Sequence, residues 1–480
     1  MRLRRRPGDR FIRLIRPRPF ALRKSLGVAG LYATGYGNVG SSIYYALGVV
    51  ALAALGATPV ALGIAGIFFV FTALTYAEGS AMFPEAGGSA SFARHAFGER
   101  VGFLAGWALL LSYVVTISIS AFTIPPYLGF FWAPLKENPV LGTLMSIGIV
   151  GLLMGINIIG IKETSWLNVG AAVLDLLTQL ALVVAGLVLL FSPALVIERI
   201  TGSWPSPQNL LFGIAVASLA YTGVETISQM AEETRRPQVR VPRALVMMIF
   251  TVLLIFGGIA VVAFSAMTPQ ELAGQWATDP VAGIAFNLPL PWLQMAMKPL
   301  VAVLAASILL IATNAGLIGI SRLAFSMSAH QQLPAAFSRV HHKFRTPYIG
   351  VIAFTLVAIL LLIPGFVSPT VFQDMGALYT FGSLLSFAFA HAAVVALRIK
   401  EPQRPRGFKL GLNVTVGGRE LPLTAVLGMV ATAGVWVVII YTQSYSRWVG
   451  FGWLLLGLVL YTLYQRHLHQ EKPAQARPPR

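Results

Sequence analysis

Long apolar stretches, each about the length of a membrane-spanning helix, make up most of this sequence. A helix needs about 20 apolar residues to cross the hydrocarbon core of a bilayer. Twelve stretches meet this requirement, and the pair Pro125-Pro126 predicts an early end to the regular helix of the third. The predicted spans are residues 26–55, 60–83, 101–131, 140–161, 166–191, 210–230, 244–267, 300–325, 349–366, 371–397, 423–441 and 449–464.

The composition excludes a soluble protein. The 480 residues are 56% hydrophobic and only 11% charged, whereas soluble proteins contain about 25% charged residues. A soluble chain could not hide so much apolar surface from water. The absence of cysteine also excludes a disulfide-rich scaffold. We therefore predict an all-α integral membrane protein with twelve transmembrane helices.

The basic residues predict the orientation of these spans. The chain has 35 Lys and Arg against 17 Asp and Glu, a net charge of +18. In a soluble protein this excess would suggest a nucleic-acid partner, but in membrane proteins Lys and Arg collect in cytoplasmic loops. Twelve spans place both termini on one side, and only Lys136, Arg199, Lys298 and Arg447 then fall on the other. We predict cytoplasmic termini, a location in the cell membrane and no nucleic-acid binding.

The segments outside the spans are short. A basic arm of residues 1–25 is expected to orient the protein and to contact anionic lipid headgroups. Residues 26–397 form the predicted transporter core, 398–422 a cytoplasmic linker, 423–464 the last two spans and 465–480 a cytoplasmic tail. Within the linker, the Val414–Gly418 stretch VTVGG is compatible with a small hairpin.

Two of the predicted spans are interrupted by small and polar residues. Span 1 contains GNVGSS at 37–42, and span 6 contains SLAYTGVE at 218–225. Non-helical backbone is tolerated at membrane depth only where it lines a protein cavity, although small residues also allow close helix packing. Corresponding interruptions in the two halves of a chain indicate the binding site of a secondary transporter. Amides and carbonyls freed at such breaks would suit a zwitterion such as an amino acid.

Several short motifs, in order along spans 1 to 9, resemble those of the amino acid–polyamine–organocation permeases. The resemblance implies two inverted five-helix repeats, spans 1–5 and 6–10, followed by two further helices. The matching residues are GSSIYY at 40–45, FPEAGGS at 83–89, Gly223-Val224-Glu225, Glu232-Glu233-Thr234, Pro237, Pro242-Arg243-Ala244, Ser321-Arg322, Leu333-Pro334 and Thr346-Pro347.

This resemblance also implies a substrate site at the two breaks. The implied carboxylate ligands are the amides of Gly40, Ser41 and Ser42; the implied ammonium ligands are carbonyls near Gly37, Val39, Leu219 and Ala220. Tyr221 would act as an aromatic gate, and Gly223 lies in the same break. Ser42 stands where the family motif has a glycine, so its Cβ narrows the space for backbone approach while its hydroxyl offers a contact.

Ionisable residues within the spans are candidates for ion coupling because each is expensive in a membrane. Asp175 lies midway along span 5, with Gln179 one turn further on the same face. It could take up a proton or help to coordinate a cation; the alternative is a hydrogen-bonded packing residue. Glu225 in span 6 has the same two interpretations, proton transfer or gating on one side and a structural hydrogen bond on the other.

Other polar residues have weaker functional interpretations. Glu78 is expected to be structural, and the charged residues 232–236 form either a solvated loop or an inner gate with Arg94 or Arg322. Thr313 and Asn314 either face the cavity or make an interhelical hydrogen bond. The candidate pocket walls are Ser112, Tyr113, Thr116, Tyr379 and Thr380.

The sequence contains no nucleotide-binding G-x-x-x-x-G-K-[ST] loop, no H-E-x-x-H and no metal-ligand cluster. We therefore predict neither an enzyme nor a metal or organic cofactor. The predicted function is secondary active transport of amino acids or related amines by alternating access, with a neutral substrate favoured and proton symport expected. The alternatives are an amino acid exchanger and a non-transporting sensor or membrane subunit. The oligomeric state is not readable from the sequence.

Overall fold

The computed structural model of the protein describes residues 26–160 and 165–470. The predicted basic arm, residues 1–25, and the end of the predicted tail, residues 471–480, lie outside the described residues. What is described is an all-α membrane protein with one small β-hairpin.

The long helices occupy the predicted spans and keep their numbers below. Their bounds are Val28–Val39 and Ile43–Ala54 for span 1, Thr58–Met82, Glu99–Leu128, Pro139–Ile159 and Ser165–Leu189 for spans 2 to 5, Pro207–Ala217 and Glu225–Gln229 for span 6, and Pro237–Ala266, Pro291–Ala329, Tyr348–Leu362, Val371–Lys400, Leu423–Thr442 and Ser444–Gln470 for spans 7 to 12. Shorter helices connect them at Ser89–Phe97, Pro134–Glu137, Pro193–Gly202, Pro269–Ala273 and Pro280–Phe286.

By length and apolar composition, 11 helices of the described chain are able to cross a membrane. The first is a continuous run of 55 residues, Val28–Met82, which at about 1.5 Å per residue is far longer than a bilayer is thick. This run turns at Leu55, whose φ of 42° lies in the left-handed region that a leucine rarely adopts. Predicted spans 1 and 2 are therefore two helices joined by the short turn Leu55–Ala57.

Several helix ends differ from the predicted ones. The expectation that Pro125-Pro126 ends the regular part of span 3 was wrong: the helix continues to Leu128, and the amide of Gly129 donates to both proline carbonyls. Spans 7 and 8 begin several residues earlier than predicted, at Pro237 and Pro291, because proline is well suited to the first turn of a helix. Span 10 extends to Lys400, and span 12 to Gln470 within the predicted tail.

Side-chain contacts sort the connecting segments into two groups, one at each end of the bundle. At one end, called the first face, residues 83–98, 230–236, 330–347 and 401–422 meet. Here the amide of Ala86 donates to the carboxylate of Glu232 at 3.5 Å, and Arg404 lies over the Phe83 ring at 4.2 Å. At the other end, called the second face, residues 129–138, 190–206 and 267–290 meet. There Gln270 donates to the hydroxyl of Ser203 at 2.9 Å.

A small hairpin stands between spans 10 and 11 on the first face, as the VTVGG stretch suggested. Strand Asn413–Val416 pairs antiparallel with strand Arg419–Pro422. The two turn residues, Gly417 and Gly418, have φ of 57° and 75°, and two successive left-handed residues form the turn that matches the twist of a hairpin.

Buried ionic contacts hold this linker against the bundle. Both carboxylate oxygens of Glu78, in span 2, accept from Arg398, in span 10, at 2.6 and 2.7 Å. Arg406 of the linker lies 3.2 Å from the same carboxylate, and the amide of Leu410 donates to it at 2.8 Å. Glu78 and Arg398 are almost fully buried. The contacts agree with the structural role expected for Glu78.

Replacing Glu78 with glutamine is expected to destabilise the protein strongly. The buried Arg398 guanidinium would keep only the exposed Glu420 carboxylate, 3.4 Å away, as an opposite charge. Breaking a buried ion pair typically costs about 3–5 kcal/mol. Thermal unfolding of the purified protein in detergent should show a clearly lower Tm for Glu78→Gln. The matched control is Glu401→Gln, since Glu401 pairs with Arg404 on the partly exposed surface of the linker and its loss should change the Tm little. Equal Tm changes in the two variants would contradict the anchoring role.

Candidate substrate and coupling site

Span 6 is broken at the predicted residues. Its first helix ends in a tight turn over Ser218–Tyr221, Thr222 is extended, and a second helix starts at Glu225. Gly223 between them has a φ of 105°, a backbone conformation that side-chain-bearing residues rarely adopt. A Cβ at this position would also lie only 2.9 Å from the Asn38 amide nitrogen. Both the bend and the close approach to span 1 therefore require glycine.

At its predicted interruption, the helix of span 1 tightens for one turn and does not unwind. Gly40–Ser42 form one turn of 3₁₀ helix, and the helical path continues on both sides. The Gly40 amide donates to the Tyr36 carbonyl, while the hydroxyl of Ser41 donates to the carbonyl of Asn38 at 2.8 Å. The prediction of a full break was therefore wrong for span 1, because local donors and acceptors satisfy its backbone without unwinding.

The two interruptions lie against each other. The side-chain amide of Asn38 donates to the hydroxyl of Thr226 at 2.7 Å, and Gly223 packs on the backbone of Val39. The predicted substrate ligands of both spans are all buried here: Gly37, Val39, Gly40, Ser41, Ser42, Leu219, Ala220 and Gly223. The structure thus brings together the residues for which the sequence predicted a common site, and their binding role stays a prediction.

Tyr221, the predicted aromatic gate, is directed towards spans 2 and 7. Its hydroxyl donates to the carbonyl of Leu62 at 2.9 Å. Its ring stacks on Phe69 with a centroid distance of 5.3 Å and is tilted against Phe256 at 5.5 Å. In this conformation the ring is packed and 5% exposed, and its function as a gate stays a prediction.

Asp175 contacts span 1 on both sides of the narrowed turn. It is fully buried and accepts hydrogen bonds from Tyr44 at 2.6 Å, Tyr36 at 3.2 Å and Gln179 at 2.7 Å. Gln179 also approaches the carbonyl of Gly40 at 3.5 Å. The carboxylate of span 5 is therefore attached directly to the predicted substrate-binding segment.

Sequence analysis found Asp175 and Gln179 but missed the two tyrosines. Tyr36 and Tyr44 stand eight residues apart, a spacing that places both on one side of a helix. That spacing was the sequence signal from which a shared contact of the two tyrosines could have been predicted. The network reaches span 3 as well, where the Tyr127 hydroxyl donates to the Tyr44 carbonyl at 2.7 Å.

Glu225 is the second carboxylate buried at the breaks. It accepts from the amide of Gly223 at 3.0 Å and thereby supports the bend in span 6. Four fully buried tyrosines from spans 1, 2, 3 and 10 lie within electrostatic range of it: Tyr45, Tyr76, Tyr113 and Tyr379. Two of these, Tyr113 and Tyr379, are predicted pocket walls. The interior around Glu225 is therefore polar, although it lies at the centre of an apolar bundle.

Several buried polar atoms in this interior have no hydrogen-bond partner among the described residues. They include the hydroxyls of Ser112 and Tyr113, two of the predicted walls, and both ends of the Gln229 side-chain amide. Buried polar groups in proteins are normally paired with protein, water or ligand. These atoms are consequently available to water or to a polar substrate.

Elsewhere on the first face, the charged residues 232–236 pair with one of their two predicted partners, Arg322, and not with the other, Arg94, among the described residues. Glu233 pairs with Arg322 of span 8 at 3.0 Å, whereas Arg94 pairs with Glu85 at 2.9 Å. In span 8, the side-chain oxygen of Asn314 accepts from Asn157 of span 4 at 2.6 Å, which is the interhelical interpretation.

The segment of residues 267–290, which the sequence analysis did not single out, covers the second-face end of span 1. Between the two short helices of this segment, the carbonyl of Ala277 packs on Gly48, where a Cβ would lie 1.8 Å from the carbonyl oxygen. The neighbouring Asp279 carboxylate accepts from Lys136 at 2.7 Å, and Lys136 also lies over the Trp276 ring at 4.5 Å. Burial raises the pKa of Asp279, while the ammonium of Lys136 acts in the opposite direction.

Comparison with known proteins agrees with this arrangement. A family model described as amino acid permease matches residues 26–463. The chain belongs to the amino acid permease family. It is therefore a membrane transporter of amino acids and not an enzyme, which confirms both the resemblance and the predicted class of function.

Individual relatives of the permease carry names with different substrates. The branched-chain amino acid permease BcaP of Bacillus subtilis is 26% identical over 93% of this chain and 94% of its own length. The glutamate/serine transporter AimA is 25% identical over 90% and 84%, and the methylthioribose transporter 25% over 93% and 94%, both from the same species. Similarity at this level shows the family, and the substrate has to be argued from the site.

A methyl group at Gly40 is expected to disturb the site. Its Cβ would lie 2.7 Å from the Tyr36 ring, so the ring must move and weaken its bond to Asp175. Overpacking of this kind typically costs about 1–3 kcal/mol, so Gly40→Ala should reduce proteoliposome uptake of a labelled amino acid mixture about tenfold. The matched control is Gly63→Ala in span 2, where a Cβ meets nothing within 4 Å. Equal uptake by both variants would exclude Gly40 from the site.

Proposed function

We propose that this permease moves neutral amino acids by alternating access, in symport with protons. The observation that carries the proposal is the position of Asp175, a buried carboxylate hydrogen-bonded to span 1 on both sides of the predicted substrate-binding turn. A proton bound at this position and a substrate bound at the turn would act on the same backbone segment.

The adjoining breaks favour a zwitterionic substrate. Interrupted helices at the centre of transporters present amides to anionic groups and carbonyls to cationic ones. Here the bend of span 6 contacts the 3₁₀ turn of span 1 through Asn38 and Thr226, so a substrate bound between them would meet the backbone of both segments. The surrounding walls offer hydroxyls such as those of Ser112 and Tyr113, which supports a neutral amino acid as the substrate.

The hydrogen bonds of Asp175 suggest how a proton would change the site. An ionised carboxylate only accepts hydrogen bonds, whereas a protonated one also donates. The three present donors, Tyr36, Tyr44 and Gln179, all suit the ionised form. Protonation replaces one acceptor position with a donor, and the 3.2 Å bond from Tyr36 is the longest and the first expected to be lost. Asp175 would then bind span 1 through Tyr44 alone, which permits the two halves of the turn to move relative to each other.

An exchanger that needs no proton is the second candidate. Glu225 favours it, because this carboxylate already binds the Gly223 amide and stabilises the bend, and among the described residues no hydrogen bond joins it to span 5. The two mechanisms differ in whether the substrate can be accumulated against its gradient by a proton gradient alone.

We also infer twelve spans built as two inverted five-helix repeats with two further helices, in the cell membrane, with the first face in the cytoplasm. The turn at Leu55 supports separate spans 1 and 2. The distribution of basic residues supports the orientation. Among the described residues, only four Lys and Arg are assigned to the second face, namely Lys136, Arg199, Lys298 and Arg447, and all others to the first.

The substrate and its coupling can be identified in two steps. A thermal-shift screen of amino acids and amines on the purified protein should find neutral amino acids that raise its Tm, because a ligand specific for the folded state stabilises it. The best of them is then assayed in proteoliposomes, where an inward proton gradient should drive its accumulation. Exchange of internal for external substrate, with no response to the proton gradient, would replace symport by exchange. Binding without any flux would overturn transport.

Removing the acidity of Asp175 should separate the two transport modes. Asp175→Asn is expected to abolish proton-driven accumulation while substrate exchange remains measurable, because the amide keeps most of the hydrogen bonds but cannot change its charge. Asp374→Asn serves as the control, since this aspartate is bonded to Thr370 at the exposed start of span 10. Unaltered accumulation in the Asp175 variant would remove this residue from the coupling mechanism.

A further inference from the structure

The hairpin between spans 10 and 11 has two chemically different sides. Residues paired directly across an antiparallel hairpin point to the same side. Val414 faces Leu421 and Val416 faces Arg419 in this way, so three apolar side chains and one arginine share one side. The valines are 45% and 57% exposed. We call this side of the hairpin, formed by Val414, Val416, Arg419 and Leu421, the apolar side.

The opposite side is polar and contacts the bundle through one residue. It carries Asn413, Thr415 and Glu420. Glu420 pairs with Lys409 and lies 3.4 Å from Arg398, the buried partner of Glu78. These contacts attach the polar side to the bundle at Glu420. On the apolar side Leu421 is half-buried, and the two valines are exposed.

The hairpin cannot extend far from the membrane boundary. Its second strand ends at Pro422 and the next residue, Leu423, already begins span 11. The amide of Leu423 donates to the carbonyl of Leu412 at 3.0 Å, which ties the start of the first strand to the same point. Leu412 has a left-handed φ of 53° and is 73% exposed, which adds a further apolar side chain beside the hairpin.

We propose that the apolar side rests on the anionic lipid headgroup layer of the membrane that the chain spans. Apolar side chains at an interface enter the boundary between headgroups and acyl chains, and an arginine among them reaches the phosphates. Residues 401–422, the part of the linker after the end of span 10, contain four basic and two acidic residues: Arg404, Arg406, Lys409 and Arg419 against Glu401 and Glu420. Both acidic residues are paired with basic ones within the linker, whereas Arg419 takes part in no ion pair among the described residues. The free positive charge therefore lies on the apolar side, where it is complementary to an anionic surface.

This inference is independent of substrate and coupling ion. It assigns a lipid contact to a segment outside the spans and separate from the basic arm. The hairpin then ties the ends of spans 2, 10 and 11 to the membrane surface through Glu78, Arg398 and Glu420.

The absence of native cysteine makes the proposal directly testable with single-cysteine variants of the full-length protein. Val416→Cys and Thr415→Cys place a nitroxide label on neighbouring residues of opposite sides. Each labelled protein is reconstituted into nanodiscs of phosphatidylcholine, with or without phosphatidylglycerol. Collisions with oxygen, which concentrates in lipid, and with a water-soluble nickel chelate are then measured by electron paramagnetic resonance.

We expect the ratio of oxygen to nickel collisions to be several-fold higher at position 416 than at position 415, and highest with phosphatidylglycerol. Adding Arg419→Gln to the Val416→Cys variant should reduce the response to phosphatidylglycerol. Equal nickel accessibility at both positions in both lipids would overturn the proposal. Spin–spin broadening at position 416 would overturn it too, because it would show that a second copy of the chain covers this side. An unchanged Tm of each labelled protein verifies that the hairpin is compared in the folded state.

Discussion

In a bilayer, every backbone amide and carbonyl must find a partner within the protein, and the architecture of this permease follows from that requirement. Continuous helices satisfy it along most of the chain. At the two interruptions other groups take over: the carboxylate of Glu225 binds the Gly223 amide, and the hydroxyl of Ser41 binds the Asn38 carbonyl. The polar residues at the breaks are therefore the condition for bending a helix at this depth.

The same requirement explains which features were readable from the sequence. Span positions follow from the lengths of apolar stretches, and the break in span 6 from a local cluster of small and polar residues. The outcome at Pro125-Pro126 and the course of span 1 depended on which donors and acceptors compensate locally. The length of an apolar stretch does not indicate which donors and acceptors are nearby. Helix ends were consequently predicted less well than helices.

The polar contacts of the site were only partly predictable. Asp175 stood out because charge is rare inside the spans, but its bonds to Tyr36 and Tyr44 join residues that are 139 and 131 positions apart. Local patterns do not encode such pairs. The same applies to Lys136 with Asp279, which are 143 positions apart and link two loops of the second face. Small and polar residues indicated where the interruptions lie, and tertiary packing determined what surrounds them.

Two buried carboxylates in this bundle, Glu78 and Asp175, differ in their partners, and the difference separates their roles. Glu78 binds the guanidinium of Arg398, so its charge is compensated and its proton would be lost only with the pair. Asp175 binds two hydroxyls and one amide, all neutral. Neutral donors can rearrange around either protonation state, whereas a buried guanidinium cannot lose its counter-charge without a large cost. A transporter that couples to protons needs a carboxylate surrounded by neutral donors beside its substrate. Asp175 has such donors on both sides of the turn in span 1.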